Sequence, residues 1–246
     1  MGAHRQVFGC QGRVSANLHL LCAGAAQGLV KVLQARWLGD TGSDIAGRFG
    51  AVGAMQEALL ADEPCDVFVS TDKMIGDLVE AGRLRRESRA PLGRVFTGIA
   101  VRAAARHPDV ATPEALKAAL LAADAIYFPD ALRSTAGIHF AGVMRELGVF
   151  DVLEPRFRTY PNGATAMREL AANHAPNLIG CTQVTEILYT AGVELVARLP
   201  ARFALATTYT AAVSASAADP VLAAKFVAML AGADTRALRE SGGFVD

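Results

Sequence analysis

The sequence has no excess of charge of either sign, since its 24 Lys and Arg residues balance its 24 Asp and Glu residues. This balance excludes the general basic field that draws a protein to nucleic acid or to an anionic membrane surface. The sequence also has no apolar run near the roughly 20 residues that a membrane-spanning helix needs. We therefore expect no nucleic-acid partner and no membrane insertion, and any bound anion must be held by a local site.

Cysteine is scarce, and its spacing matches none of the patterns that bind zinc or form a redox dithiol. The four cysteines, Cys10, Cys22, Cys65 and Cys181, include no C-x-x-C pair and are expected to be buried free thiols. The H-E-x-x-H, Walker, G-x-G-x-x-G and G-x-S-x-G motifs are also missing from the sequence. We therefore expect no metal, no cofactor and no hydrolase chemistry.

A secretory leader begins with a basic segment that is followed by an apolar run of roughly 7–15 residues. Residues 1–16 contain no such run. As written, the chain is therefore predicted to be cytoplasmic, or periplasmic if a leader has been removed.

What the sequence does have is a hydrophobic content of 52%, arranged in short apolar runs that alternate with helical patterns. This alternation is typical of an α/β fold in which a mostly parallel sheet is flanked by helices. Two β-rich stretches, at 95–101 and 203–213, predict hinge strands between two lobes. We assign residues 1–97 and 206–246 to lobe one and residues 98–205 to lobe two, with a ligand cleft between them.

Small or hydroxyl residues crowd four strand-to-helix junctions, with AGAAQ at 23–27, FGAVG at 49–53, RSTAG at 133–137 and PNGA at 161–164. In open α/β sheets, ligands bind beyond the carboxyl ends of the strands, where helices begin with free N–H groups. Two junctions from each lobe would direct several helix N-termini at one small anion. The alternative is that these are ordinary turns, since any α/β protein needs small residues where helices start.

The order of these turns, together with PCDVFVSTD at 64–72 and STAGI at 134–138, resembles the molybdate-binding proteins of ABC transporters. Those proteins are two-lobed type II periplasmic binding proteins. The resemblance extends over about residues 17–244. It implies that serine hydroxyls and backbone N–H groups on the first two turns hold an oxyanion, and that an ABC permease is the partner of an exported chain.

The first two turns depart from this family, because Ala25 and Ala26 occupy one and Ala51 and Val52 the other, where the family has serines. Each lost hydroxyl removes a donor worth about 1–3 kcal/mol to a desolvated anion, so we predict an organic carboxylate rather than molybdate. Lys73 and Arg133 are candidate charge partners, or else solvated surface charges. The predicted ligand-binding residues are Ala25, Ala26, Ala51, Val52, Lys73, Arg133, Ser134, Thr135, Asn162, Gly163, Thr182 and Gln183.

An alternative function is the isomerisation of a small unsaturated carboxylic acid, because the chain also resembles aconitate isomerase, which is built on the same fold. Such a proton shift needs a base near the carbon acid and donors for the developing charge. His139, Glu186 and Lys73 are the candidates for an isomerase, whereas no catalytic residue is assigned to a binding protein. The structural alternatives are a helix residue without proton-transfer duty for His139 and a first-turn acid favoured by the helix dipole for Glu186.

Overall fold

The structure, a computed structural model, describes residues 17–246. Residues 1–16, which include Cys10 and were predicted to belong to lobe one and to lack a leader, lie outside the described residues. Residues 17–246 form the strands β1 (Leu18–Ala23), β2 (Ile45–Gly50), β3 (Val67–Thr71), β4 (Ala90–Arg102), β5 (Ala125–Pro129), β6 (Phe157–Tyr160), β7 (Leu178–Gln183), β8 (Val193–Arg198) and β9 (Ala206–Val213). The helices are α1 (Gly24–Thr41), α2 (Val52–Leu60), α3 (Asp72–Glu80), α4 (Pro113–Ala122), α5 (Thr135–Glu146), α6 (Phe150–Leu153), α7 (Gly163–Ala172), α8 (Val184–Leu188), α9 (Pro220–Ala231) and α10 (Arg236–Ser241). Across these residues, no helix has both the length and the apolar character to cross a membrane.

The strands follow the order β2-β1-β3-β9-β4-β7-β5-β6, and β8 pairs with β4 beside this path. In lobe one, β1 pairs in parallel with β2 and β3, and in lobe two β5 pairs in parallel with β6 and β7. The remaining pairs, which all involve β4 or β9, are antiparallel. The predicted α/β class is confirmed, although the sheets are mixed, because a strand that leaves a lobe and one that returns to it run in opposite directions.

The long strand β4 joins the two lobes. Its first part, through Phe96, pairs with β9, and from Thr97 onward it pairs with β7 and from Gly98 with β8. A Cβ atom at Gly98 would lie 2.8 Å from Leu195 Cδ1 and 3.1 Å from the carbonyl oxygen of Ala197, so a larger residue at the start of this second sheet would displace the Leu195 side chain. Because β4 changes from one sheet to the other at this point, the cleft between the lobes lies beside β4 and β9.

Apolar side chains cover both faces of each sheet, as the strand–helix alternation predicts. On one face of lobe one, Trp37 of α1 packs edge-on against Phe226 of α9, with ring centroids 5.0 Å apart. On one face of lobe two, Phe128 of β5 packs edge-on against Phe140 of α5 at 5.7 Å. These cores hold the helices rigidly on the sheets, so the first turn of each helix has a fixed position at the cleft.

Candidate functional site

A small cavity lies between the lobes where β1, β2 and other strands end and helices begin. We call it the inner chamber. Its volume is about 10 Å³, which is close to the space that a single water molecule needs. Its walls are formed by Ala23, Gly24, Ala25, Gly50, Ala51, Val52, Ser134, Thr135, Asn162, Gln183, Glu186 and Tyr209.

Three helices of nine or more residues begin at the inner chamber without a side-chain cap. The N-cap residues are Ala23 for α1, Ala51 for α2 and Ser134 for α5, and none of them accepts a hydrogen bond from its own helix through its side chain. The first N–H groups of a helix have no partner within the helix and carry its positive dipole end. Because α1 and α2 belong to lobe one and α5 to lobe two, an anion between them would receive donors from both lobes.

Gln183 contributes a buried amide to the same wall. The residue is 2% exposed, and neither its Nε2 nor its Oε1 has a hydrogen-bond partner of normal geometry within residues 17–246. The hydroxyl of Tyr209 lies beside this amide and beside the Thr135 side chain, and burial raises the pKa of that phenol. A buried amide without partners is costly, so Gln183 has capacity for one donated and one accepted bond to a ligand.

Glu186 places a carboxyl group in the wall of the inner chamber. It is 6% exposed, and it accepts hydrogen bonds from the Thr182 hydroxyl and from the N–H of Ala164 at 3.3 Å. Burial raises its pKa, and the hydrogen bonds from Thr182 and from the backbone N–H groups of Ala164, Gln183 and Gly163 partly oppose that rise. The carboxyl group of Glu186 therefore occupies the N–H groups at the start of α7, and the N-termini of α1, α2 and α5 remain available to a ligand.

Two glycines make room for this carboxyl group. A Cβ atom at Gly24 would lie 2.3 Å from Glu186 Oε1, and one at Gly163 would lie 2.0 Å from Glu186 Oε2. Any larger residue at either position would displace the carboxyl group. Glycine at these two helix starts thus leaves space for the buried Glu186 carboxyl group.

The structure brings seven of the predicted ligand-binding residues to the inner chamber. They are Ala25, Ala51, Val52, Ser134, Thr135, Asn162 and Gln183. The Asn162 side chain also caps α7 by accepting the Thr165 N–H at 2.8 Å. Gly163 and Thr182 contact Glu186 instead, and Ala26, which is fully buried, is not one of the wall residues.

The predicted charged partners lie elsewhere. The Lys73 side chain is 85% exposed and pairs with Asp77 at 2.7 Å, because an i,i+4 spacing on α3 brings the two together. The Arg133 side chain lies outside the chamber and is 56% exposed. Its Nη1 atom lies 3.7 Å from Oε2 of Glu57 in the other lobe. Its carbonyl oxygen also accepts the Gly53 N–H at 3.3 Å. Arg133 thus connects the two lobes in the closed arrangement.

His139 is also separate from the inner chamber. Its Nε2 atom lies 2.8 Å from the carbonyl oxygen of Phe203, within lobe two. Ala23, Gly24 and Gly50 also line the chamber and lie in the predicted small-residue junctions, whereas Tyr209 is a wall residue that was not predicted. In the sequence, Tyr209 stands out as the one large side chain in the hinge stretch TTYTAAV at 207–213, and this could have indicated a role at the chamber. No group of three or more His, Cys, Asp and Glu side chains in residues 17–246 is placed to hold a metal ion.

Two lobes joined by β4 and β9, with helix starts from both facing one chamber, define a two-lobed solute-binding protein. The chain belongs to the bacterial extracellular solute-binding protein family, whose model matches residues 18–245. The predicted resemblance to molybdate-binding proteins is confirmed.

Among solved structures, the periplasmic molybdate-binding protein of Azotobacter vinelandii superposes with a TM-score of 0.75 at 19% identity, covering 94% of this chain and 99% of that one. The sulfate-binding protein SubI of Mycobacterium tuberculosis H37Rv superposes with a TM-score of 0.66 at 15% identity, covering 94% of this chain and 86% of that one. Among curated relatives, the aconitate isomerase of a Pseudomonas species is 26% identical over 194 residues, which are 77% of this chain and 71% of the relative. These likenesses support the two-lobed fold.

Proposed function

We propose that this solute-binding protein closes around a small, singly charged organic carboxylate held by the walls of the inner chamber, which widens from its water-sized volume of about 10 Å³ to admit the ligand. The observation that carries the proposal is the presence of Glu186 in the same wall as three uncapped helix N-termini. The helix starts attract one negative charge, whereas the buried carboxyl group opposes a second. A monoanion satisfies both conditions better than a dianion such as molybdate or sulfate.

The wall chemistry supports the same ligand class. The first two turns of lobe one offer only backbone N–H groups, because they carry Ala25, Ala51 and Val52. The hydroxyl and amide donors come from lobe two and the hinge strand. Among them, Ser134 is the N-cap residue of α5 and Gln183 is the N-cap residue of α8. Such a one-sided set of side-chain donors suits a planar carboxylate better than a tetrahedral oxyanion with four equivalent oxygens.

In this proposal the ligand is delivered to an ABC permease. Binding joins the lobes through bonds to both sides of the cleft, and release requires β4 and β9 to flex so that contacts such as Gly53 to Arg133 separate. The permease would therefore recognise the closed surface that ligand binding stabilises.

A thermal-shift screen tests the ligand class, using acetate and other monocarboxylates against di- and tricarboxylates, sulfate, molybdate and tungstate. A ligand at about 100 times its Kd adds roughly 2.7 kcal/mol of stability. We expect selective stabilisation by a monocarboxylate, and Gln183→Leu should weaken its binding by about tenfold or more, since a buried donor contributes about 1–3 kcal/mol. Gln34→Leu, on the exposed part of α1 where Gln34 bonds Asp44, is the matched control. Stabilisation by sulfate or molybdate alone would contradict the proposal.

A second candidate function is isomerisation of an unsaturated carboxylic acid, favoured by the buried Glu186 carboxyl group at the chamber. Its carboxylate would take a proton from a carbon next to an acid group, the double bond would shift, and the same proton would return to the other end of the allylic system. The curated aconitate isomerase relative supports this alternative.

Proton NMR in deuterated water distinguishes the two functions. An isomerase exchanges a carbon-bound proton of aconitate for deuterium or forms its isomer, Glu186→Gln abolishes that reaction, and Lys225→Gln leaves it intact. An unsaturated acid that binds and persists unchanged identifies a receptor only.

A further inference from the structure

A second and larger cavity lies at the lobe interface, beside the inner chamber. We call it the outer chamber, and its volume is about 280 Å³. It opens between α1 of lobe one and α7 and α8 of lobe two. The residues that matter here are Gln27, Gly28, Lys31, Ala164, Arg168 and Tyr189. Its volume approaches the lower end of the range typical of small-molecule sites, about 300–1,000 Å³.

Glu186 and Gly24 separate the two chambers, since both residues line each of them. Glu186 and Gly24 are in contact and close the passage between the chambers, since a Cβ atom at Gly24 would lie only 2.3 Å from Glu186 Oε1. A ligand in one chamber therefore does not extend into the other in this arrangement of the lobes.

Two cations from opposite lobes line the outer chamber. Lys31 is on α1 and has no ion-pair partner in the described part of the chain, and Arg168 is on α7, where its guanidinium donates to Thr165 Oγ1 at 2.9 Å. Since Glu186 is the single acidic residue in the lining, the wall carries one net positive charge when all three groups are ionised.

The rest of the lining is largely apolar. Gly28 and Ala164 present no polar side chain, and the Tyr189 ring packs directly on Gly28, where a Cβ atom would lie 2.0 Å from the ring. The Tyr189 hydroxyl points away toward the Leu238 carbonyl oxygen at 3.4 Å. A carbon chain therefore has an apolar surface in a chamber whose charged groups favour one negative charge.

We propose that the outer chamber is a second binding site, which takes a short-chain monocarboxylate with its carboxylate between Lys31 and Arg168 and its carbon chain against Tyr189. Arg pairs with carboxylates through parallel hydrogen bonds, and Lys supplies a second charge-assisted donor. Because α1 and α7 belong to different lobes, occupancy stabilises the closed arrangement and strengthens binding at the inner chamber.

Titration calorimetry with butyrate tests this site in the full chain, and the uncharged butyramide serves as the ligand control. We expect Lys31→Gln and Arg168→Gln each to weaken butyrate binding by at least about tenfold, while Lys225→Gln on α9 leaves it unchanged and butyramide fails to bind. Gln183→Leu, which alters only the inner chamber, should leave the butyrate site intact apart from the coupling between sites.

The variants also separate this site from the proposed function. Acetate binding lost in Gln183→Leu and kept in Lys31→Gln supports the inner site, whatever butyrate does. Butyrate binding that is lost in Gln183→Leu but unchanged in Lys31→Gln and Arg168→Gln would place butyrate in the inner chamber and overturn the second site. No butyrate binding to the unaltered chain at millimolar concentration would overturn it as well. Circular dichroism melts confirm that each variant is folded.

Discussion

Replacing Glu186 with glutamine nearly preserves the shape of the side chain and removes the negative charge that the carboxyl group carries above its raised pKa. The carboxyl group is buried and lines the chamber itself. For a ligand charge about 5 Å away and an effective dielectric constant near 20, each charge pair is worth about 3 kcal/mol. A dianion meets one more such repulsion than a monoanion does, so the carboxylate disfavours dianions by roughly a hundredfold.

The assay is titration calorimetry of acetate and sulfate with the unaltered chain and with Glu186→Gln, over a pH series that extends above the raised pKa of Glu186, where its carboxyl group is ionised. We expect the ratio of sulfate to acetate affinity to rise by about a hundredfold in the variant, and sulfate to gain more than acetate. An unchanged ratio in a folded variant would refute the reasoning, because it would mean that the ligand does not feel the charge of Glu186.

The same substitution has a consequence for stability. Burial raises the pKa of Glu186 above its usual 4.5, so the folded chain binds this proton more tightly than the unfolded chain does. The resulting stabilisation is complete below 4.5 and is lost as the pH rises through the raised pKa of the folded chain. Urea unfolding at several pH values should show this decline in the unaltered chain, and the decline should be absent from Glu186→Gln.

Other predictions concern packing and thiol burial. Gly28→Ala should destabilise the chain by about 1–3 kcal/mol in urea unfolding, because the new methyl group would displace Tyr189, whereas Gly39→Ala on the same helix meets no atom within 4 Å and should stabilise it by roughly 0.5–1 kcal/mol. Equal effects of the two substitutions would contradict this packing. In a Cys10→Ser variant, Ellman's reagent at pH 8 should find no reactive thiol until urea is added, and rapid labelling of the native variant would show that the thiols are accessible. The reason is that burial raises the pKa of Cys22, Cys65 and Cys181, that of Cys65 to about 12.

Local sequence patterns predicted the elements of this fold well. The small-residue junctions at 23–27, 49–53, 133–137 and 161–164 each contain the start of a helix, respectively α1, α2, α5 and α7. These elements follow from the periodicity of apolar residues and the small residues between them, which act over a few neighbouring positions. Three of the four small-residue junctions also supply uncapped helix starts, as their lack of capping side-chain bonds shows.

The pairing of the strands that cross between the lobes could not be predicted from local sequence patterns. The sequence predicted mostly parallel sheets, whereas β4 and β9 pair antiparallel with their neighbours. Which strands become neighbours depends on how the chain crosses between lobes, and hydrophobic periodicity is the same for a parallel and an antiparallel partner on a buried sheet.

The sequence alone determined which helix starts carry small residues and that Ala23 and Ala51 have no side-chain group able to cap α1 and α2, because these properties belong to single positions. Ser134 could cap α5 by its residue type, and only the structure shows that it does not. The tertiary structure alone decided what each start faces. It placed the Glu186 carboxyl group against Gly163 and Ala164, more than twenty residues earlier in the chain, and it brought Arg133 to Gly53 and Glu57 of the other lobe. A side chain's partner depends on the packing of elements that are distant in sequence, and that packing follows from the fold as a whole.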